Sequence, residues 1–161
     1  MVITKLKAFI KFLDAEAGFK FDVERFQHRL MLQKYVYIAK LFGLDMGYSP
    51  EIYLRGPYSP RLAKDYYALA KTGELYEGDY KRDLPELHAR KYLSLIGGKD
   101  AEWLEVAATI LSLYYRYKGK FFGSKLEESI LSTTCDIKSF LPKEKISIVF
   151  ADLQSASLFA V

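Results

Sequence analysis

The feature that most constrains the fold is the break at Gly56-Pro57, between two segments of helical pattern. Gly permits backbone conformations that other residues avoid, and Pro interrupts a helix, so the chain must turn here. Ser59 then precedes Pro60, which places a good N-cap before a good first helical residue. The sequence therefore predicts a turn followed by a helix over residues 60–71.

The segment before this turn predicts a central helix over residues 22–42, with Asp22 as its N-cap and Gly43 as its stop. Apolar residues occur on several of its sides, which is typical of a helix packed on more than one neighbour. Two short extended segments, residues 51–55 and 74–76, flank the next helix. We expect them to pair as a small hairpin.

The rest of the chain predicts more helices, because apolar residues recur at helical spacing and capping signals precede them. These helices are expected over residues 2–15, 83–95, 100–117, 124–131 and 142–153. Asp100 caps one of them, Ser124 and Glu127 have capping-box spacing before another, and residues 135–141 read as a loop.

The predicted fold class is mainly α: a compact bundle of about six or seven helices with one short β-hairpin, forming a single helical domain over residues 1–161. A winged-helix arrangement is the alternative form of this prediction. In that form residues 60–71 are the recognition helix and residues 74–80 belong to the wing.

Composition excludes several kinds of site. A single cysteine, Cys135, forms no intrachain disulfide, and with only His28 and His88 it cannot complete a closed zinc site of Cys and His. The chain has no Asn and only three Gln, which fits a thermophilic source.

Hydropathy predicts a soluble, cytoplasmic protein that does not bind membranes. The longest strongly apolar run, residues 106–115, is about half the length that a membrane-spanning helix needs. Lysines interrupt the apolar pattern of the first residues, so no signal peptide is predicted.

No residue pattern predicts catalysis or a cofactor. His28, His88 and Cys135 have no partner residues at a spacing typical of nucleophilic or acid–base chemistry, and we interpret them as structural. The Gly56-Pro57 turn lacks the glycine spacing and the lysine of a phosphate-binding loop. The expectation is a protein that is not an enzyme.

Basic residues next to rings are the remaining functional signal. The net charge is +4, which permits an anionic partner without requiring one. The candidate residues for binding nucleic acid or another anion are Arg61, Lys64, Arg116, Tyr117, Lys118, Lys120 and Lys125. Rings beside cations are typical of sites for single-stranded nucleic acid. The same residues also fit a core completed by rings and a helix C-terminus neutralised by cations, so both interpretations stay open.

The central stretch resembles the YwgA-like family and, more remotely, the Panacea and SocA-like antitoxin domains. The residues that carry the resemblance include Arg29, Gln33, Lys34, Gly56, Pro57, Tyr58 and Ser59. The Panacea-type pattern has Gly-Pro-Val where this chain has Gly-Pro-Tyr-Ser. The resemblance implies a compact helical domain that binds a protein partner, without catalytic residues.

Two functional hypotheses follow. The first is a non-enzymatic regulatory domain that binds a protein partner, as an antitoxin or adaptor does. In it Arg29, Gln33 and Lys34 are structural and hold the segment over residues 53–59 through hydrogen bonds. The second is a winged-helix regulator that binds nucleic acid, in which Arg61, Lys64 and Lys71 contact phosphates.

Overall fold

The helices follow the predicted order, although one is divided, several boundaries differ and the second strand precedes α3 instead of following it. The computed structural model describes residues 2–53 and 56–158. Its elements are α1 (Val2–Ala17), α2 (Phe26–Lys40), β1 (Glu51–Tyr53), β2 (Gly56–Tyr58), α3 (Pro60–Thr72), α4 (Tyr80–Asp83), α5 (Ala89–Ile96), α6 (Ala101–Tyr117), α7 (Gly123–Ile137) and α8 (Lys143–Ser155). This mainly helical structure with one short hairpin confirms the predicted fold class.

Local capping rules identified two helix starts correctly. The Ser59 hydroxyl accepts a hydrogen bond of 3.2 Å from the backbone N–H of Leu62, at the start of α3. The carboxylate of Asp100 accepts one of 2.8 Å from the N–H of Trp103, at the start of α6. Each bond satisfies an N–H group that the helix itself leaves without a partner.

Two other capping predictions are wrong. α2 begins after Arg25 with no side-chain cap, and Asp22 instead accepts from the N–H of Glu24 in the preceding turn. α7 begins at Gly123 and also has no side-chain cap, so Ser124 and Glu127 form no capping box there.

The predicted loop over residues 135–141 is also partly wrong, because α7 continues to Ile137. Leu126, Ile130 and Thr134 are buried at four-residue spacing along it. This buried stripe extends past the predicted helix end at residue 131, and packing against α6 keeps the chain helical.

The single helix predicted over residues 83–95 is divided into α4 and α5, which raises the number of helices in the described part to eight. Pro85 ends α4, because proline disfavours helical geometry in the residue before it. The intervening loop packs against the end of α2, where the N–H of His88 donates to the carbonyl of Phe42 at 2.8 Å. No local sequence pattern predicts this tertiary contact.

The hairpin pairs segments that are closer in sequence than predicted. β1 and β2 are antiparallel, with Glu51 opposite Tyr58 and Tyr53 opposite Gly56. Residues 73–79 contain no strand, so the predicted pairing with residues 74–76 is wrong. The winged-helix alternative therefore lacks its wing after α3.

The core has two parts that meet at α2. α6 lies at the centre of the first part and contacts α2, α7, α8 and β2. Its side chains from Trp103 to Leu113 are buried except for Glu105, as its two adjacent apolar stripes predict. In the second part, α1 packs against α3, α4 and α5.

Aromatic side chains fill the second part of the core. The rings of Phe9 and Phe42 lie 6.0 and 5.6 Å from the ring of Tyr92, measured between centroids. Tyr92 is fully buried, and its hydroxyl donates to the carbonyl of Tyr35 at 2.8 Å. Burial raises the pKa of Tyr92 well above its ordinary value, so this hydroxyl stays a donor.

None of the described helices is long and apolar enough to cross a lipid bilayer.

Candidate functional site

Polar side chains of the central stretch form an anchor between α2 and the hairpin. The amide of Gln33 donates to the carbonyl of Ser59 at 2.9 Å and accepts from the N–H of Ser59 at 2.8 Å. The ammonium of Lys34 donates to the carbonyl of Pro57 at 2.9 Å. Both side chains are buried. The hydrogen bonds expected from Gln33 and Lys34 to this segment are therefore present.

Gly56 lets the hairpin lie close to α6. Its φ is +93°, and a Cβ atom placed on it would lie 3.0 Å from the Thr109 hydroxyl oxygen and 3.3 Å from Cε of Lys34. A side chain here would meet both a strained backbone and a filled space. Gly56 is thus required by the approach of β2 to α6.

Tyr58 continues the anchor toward α3. Its hydroxyl and the side chain of Gln33 both hydrogen-bond with Tyr66, which is buried in the core. Burial raises the pKa of Tyr66, and the hydrogen bond with Tyr58 raises it further. Gly56, Pro57, Tyr58 and Ser59 accordingly lie in packing between α2, α3 and α6.

Arg29 differs from the expectation, because its described hydrogen bond goes to a loop and not to the hairpin. Its guanidinium donates to the carbonyl of Val23 at 2.6 Å. It also lies between two exposed rings, 5.6 Å from the centroid of Phe26 and 5.9 Å from that of Tyr67. Arg29 therefore holds the loop before α2 against the start of that helix.

His28 holds the same loop. Its Nδ1 accepts a hydrogen bond of 3.0 Å from the N–H of Asp22, and its ring packs 4.8 Å from that of Phe19. Burial lowers the pKa of His28, and the positive charge of Arg25 lowers it further. The bond to Asp22 requires the neutral imidazole, which is the form that this lower pKa favours.

The loop forms one wall of a groove of about 1090 Å³, which we call the α1–α3 groove. The other walls are α1, the end of α3 and residues 73–76. Apolar lining residues come from all of these segments: Ile10, Phe19, Phe21, Val23, Tyr66, Leu69 and Leu75. Leu75 is 84% exposed at its edge. An apolar groove of this size is a feature that neither the helix pattern nor the hairpin signal predicts.

Charged residues surround the groove. Lys7 on α1 pairs with Glu74 after α3 at 3.3 Å, which links two of its walls. Lys11, Lys20 and Arg25 also line it and make no ion pair within the part of the chain that the structure describes. These three cations are available to an external acidic group.

The predicted basic segment after α6 is mostly exposed. Arg116, Lys118, Lys120 and Lys125 all face solvent, and the ammonium of Lys118 lies 4.7 Å from the ring centroid of Tyr115. Tyr117 is different: its hydroxyl is 3.2 Å from that of Thr133 on α7. Tyr117 therefore lies in the packing between α6 and α7.

Arg61 and Lys64, the candidates on α3, are exposed. The guanidinium of Arg61 lies 5.3 Å from the ring centroid of Tyr48 and donates to the carbonyl of Gly47 at 3.2 Å. The hydroxyl of Tyr48 in turn donates to Asp65 at 2.6 Å. Arg61 is thus held in place by the segment between α2 and β1.

Other polar groups have structural partners. Within residues 2–53 and 56–158 no three His, Cys, Asp or Glu side chains are grouped as metal ligands. Lys138, which is fully buried at the end of α7, lies 3.4 Å from the carboxylate of Glu105 on α6. Removing one partner of such a pair leaves a buried charge without compensation, so this pair fixes α7 on α6.

Comparisons with family profiles, with curated proteins and with solved structures found no significant match for this chain. The resemblance to YwgA-like and Panacea or SocA-like domains therefore stays a prediction.

Proposed function

We propose that this protein is a non-enzymatic interaction domain that binds an amphipathic segment of a protein partner in the α1–α3 groove. One observation carries the proposal: apolar side chains from α1, the loop before α2, α3 and the segment after α3 line a single open groove. The resemblance to antitoxin and adaptor domains implies the same class of function.

The groove is large enough for one face of a peptide helix. Its volume of about 1090 Å³ lies near the upper limit that is usual for small-molecule pockets, roughly 1,000 Å³. Grooves that bind amphipathic helices present a continuous apolar floor to residues on one helix face. Phe21, Tyr66 and Leu69 supply such a floor here.

The charges around the groove define the partner further. Lys11, Lys20 and Arg25 have no described ion-pair partner and outnumber Asp14 and Asp22, the lining carboxylates without an ion pair. An incoming segment with acidic residues beside its apolar face would therefore gain a net attraction. Charge complementarity of this kind mainly selects the partner and speeds its association.

The lining groups favour binding over catalysis. His28 lines the groove, but its Nδ1 already accepts the N–H of Asp22. Glu74 is paired with Lys7, and Asp22 accepts from the N–H of Glu24. These groups stabilise the groove walls, and we assign none of them a proton-transfer role.

The test is a selection of displayed random peptides about four helical turns long against the immobilised protein. We expect enriched peptides to share apolar residues at helical spacing, flanked by Asp or Glu. Leu75→Glu and Ala70→Glu place negative charges on exposed lining residues and should weaken the binding of these acidic peptides about tenfold or more.

Matched controls come from exposed residues outside the groove. Ile148→Glu on α8 and Ala68→Glu on α3 introduce the same charges and should leave peptide binding unchanged. Enriched peptides without the shared pattern, or equal losses in the groove and control variants, would contradict the proposal.

A further inference from the structure

The cations predicted on α3 and after α6 lie at the two ends of one row of aromatic side chains. We call these rings and cations together the basic-aromatic strip. Its members are Arg61, Tyr48, Lys40, Tyr37, Tyr115 and Lys118. These residues come from four separate parts of the chain, so their arrangement is a product of the fold.

Direct contacts define the two ends of the strip. The guanidinium of Arg61 lies 5.3 Å from the ring centroid of Tyr48, and the ammonium of Lys118 lies 4.7 Å from that of Tyr115. A cation at this distance from a ring is held by the negative potential of the ring face. The two cations are therefore positioned rather than free to sample all directions.

The middle of the strip connects these ends. Tyr48, Lys40 and Tyr37 line one small depression between α2 and the segment after it. Tyr37 is on α2 and Tyr115 is on α6, and these two helices pack against each other. Burial raises the pKa of Tyr37, and the electrostatic effect of Tyr115 raises it further. Tyr48 is only 4% exposed and Tyr37 is partly buried, so these rings form the packed base of the strip and the exposed cations lie above them.

The positive charges of the strip are not neutralised within the protein. Arg61, Lys40 and Lys118 make no ion pair in the part of the chain that the structure describes. The nearby carboxylate of Asp65 accepts the hydroxyl of Tyr48 at 2.6 Å. Asp45 lines the same depression as Lys40, so an external anion would meet three exposed cations and two carboxylates along the strip.

The helix dipole accounts for the positions of only some of the basic residues on these helices. Lys40 and Arg116 lie in the last turns of α2 and α6, where the dipole favours positive charge. Arg61 lies in the first turn of α3 and Lys64 directly after it, where the dipole opposes positive charge. α3 has no acidic residue in its first turn, and Asp65 directly follows Lys64.

We propose that the basic-aromatic strip binds single-stranded nucleic acid. Phosphates would contact Arg61, Lys40 and Lys118, and a base would stack on the face of Tyr115 opposite Lys118; this ring is 41% exposed. A single strand fits better than a duplex, because only unpaired bases offer their faces to a ring. This site is separate from the α1–α3 groove, and it does not require winged-helix geometry.

The test is fluorescence anisotropy of a labelled dT oligonucleotide about 20 nucleotides long, titrated at several salt concentrations. Arg61→Gln/Lys118→Gln removes two phosphate contacts, so the slope of log K against log salt should decrease in magnitude by about 1.4. Tyr115→Leu should weaken binding about 5- to 150-fold at unchanged slope, because it removes one stacked base.

The control pair Arg82→Gln/Lys143→Gln removes one Arg and one Lys from exposed positions on α4 and α8. Circular dichroism of each variant checks that it is folded. No binding of the oligonucleotide, tighter binding of a duplex of the same length, or equal slope changes in both pairs would each overturn the proposal. A loss confined to the strip variants would support it, whatever the result of the peptide selection.

Discussion

At the scale of single residues, Gln33 acts as a substitute for a peptide group. Its side-chain amide offers one donor and one acceptor, and it pairs with the N–H and the carbonyl of Ser59 at 2.8 and 2.9 Å. This two-bond arrangement fixes the orientation of the chain directly before α3. Since the site is buried, water cannot replace either bond.

Replacing Gln33 by Leu keeps the side-chain size but removes both bonds. We expect Gln33→Leu to lower the free energy of unfolding by about 3 kcal/mol, because both backbone groups of Ser59 lose their partner in a buried position. Urea denaturation followed by circular dichroism measures the change.

Gln27→Leu is the matched control, because Gln27 lies on the same helix and is exposed. Its effect should stay within about 0.5 kcal/mol. Equal losses of stability in both variants would show that the hydrogen bonds between Gln33 and Ser59 do not hold the hairpin. If the Gln33→Leu variant folds, it should still bind the selected peptides.

At the scale of elements, the start of α2 holds a groove wall in place. α2 has no side-chain cap, and two of its side chains bond to the preceding loop instead. Arg29 donates to the carbonyl of Val23, and His28 accepts from the N–H of Asp22. One of the two bonds that hold this wall of the α1–α3 groove therefore requires a neutral imidazole.

This requirement predicts a pH effect on stability. The pKa of His28 is lower in the folded protein than its ordinary value of 6.5, so the unfolded chain binds more protons between the two values. The free energy of unfolding should therefore be constant above about pH 7.5 and fall as the pH decreases through 6.5.

Urea midpoints at about pH 7.5, 6.5 and 5.5 measure this effect. His28→Phe keeps the ring contact with Phe19 but has no proton acceptor, so its midpoint should be lower at pH 7.5 and nearly constant over this range. His88, which is exposed, is present in both proteins and serves as an internal control. An equal decrease in the variant would assign the effect to other groups.

Sequence patterns predicted the features that contacts between near neighbours in the chain decide, and missed features that depend on long-range packing. The caps Ser59 and Asp100 were predicted because a cap is a contact between residues three apart. The break at Pro85 and the pairing of β1 with β2 were missed, since long-range packing and a short turn decide them. Lys138 gave no sign of burial, because its partner Glu105 is on another helix.

At the scale of the whole molecule, the buried sequence motif adjoins both proposed binding surfaces: Gln33 and Ser59 line the depression in the middle of the strip, and Tyr66 lines the groove. Gln33 and Lys34 lie inside, between α2 and the hairpin. The α1–α3 groove and the basic-aromatic strip are formed by residues from separate segments, so no local pattern describes them. The basic residues of the strip could be named from sequence, but their arrangement in one row could not.

The central claim is that the anchor supports the fold while two separate surfaces bind partners. The most direct test is an amide chemical-shift map of the ¹⁵N-labelled protein, titrated first with a selected peptide and then with the dT oligonucleotide. We predict that the peptide shifts amides of residues 18–25 and 69–76, and that the oligonucleotide shifts those of residues 37–48 and 115–118. Shifts of one common set by both ligands, or shifts confined to residues 56–59, would contradict the claim.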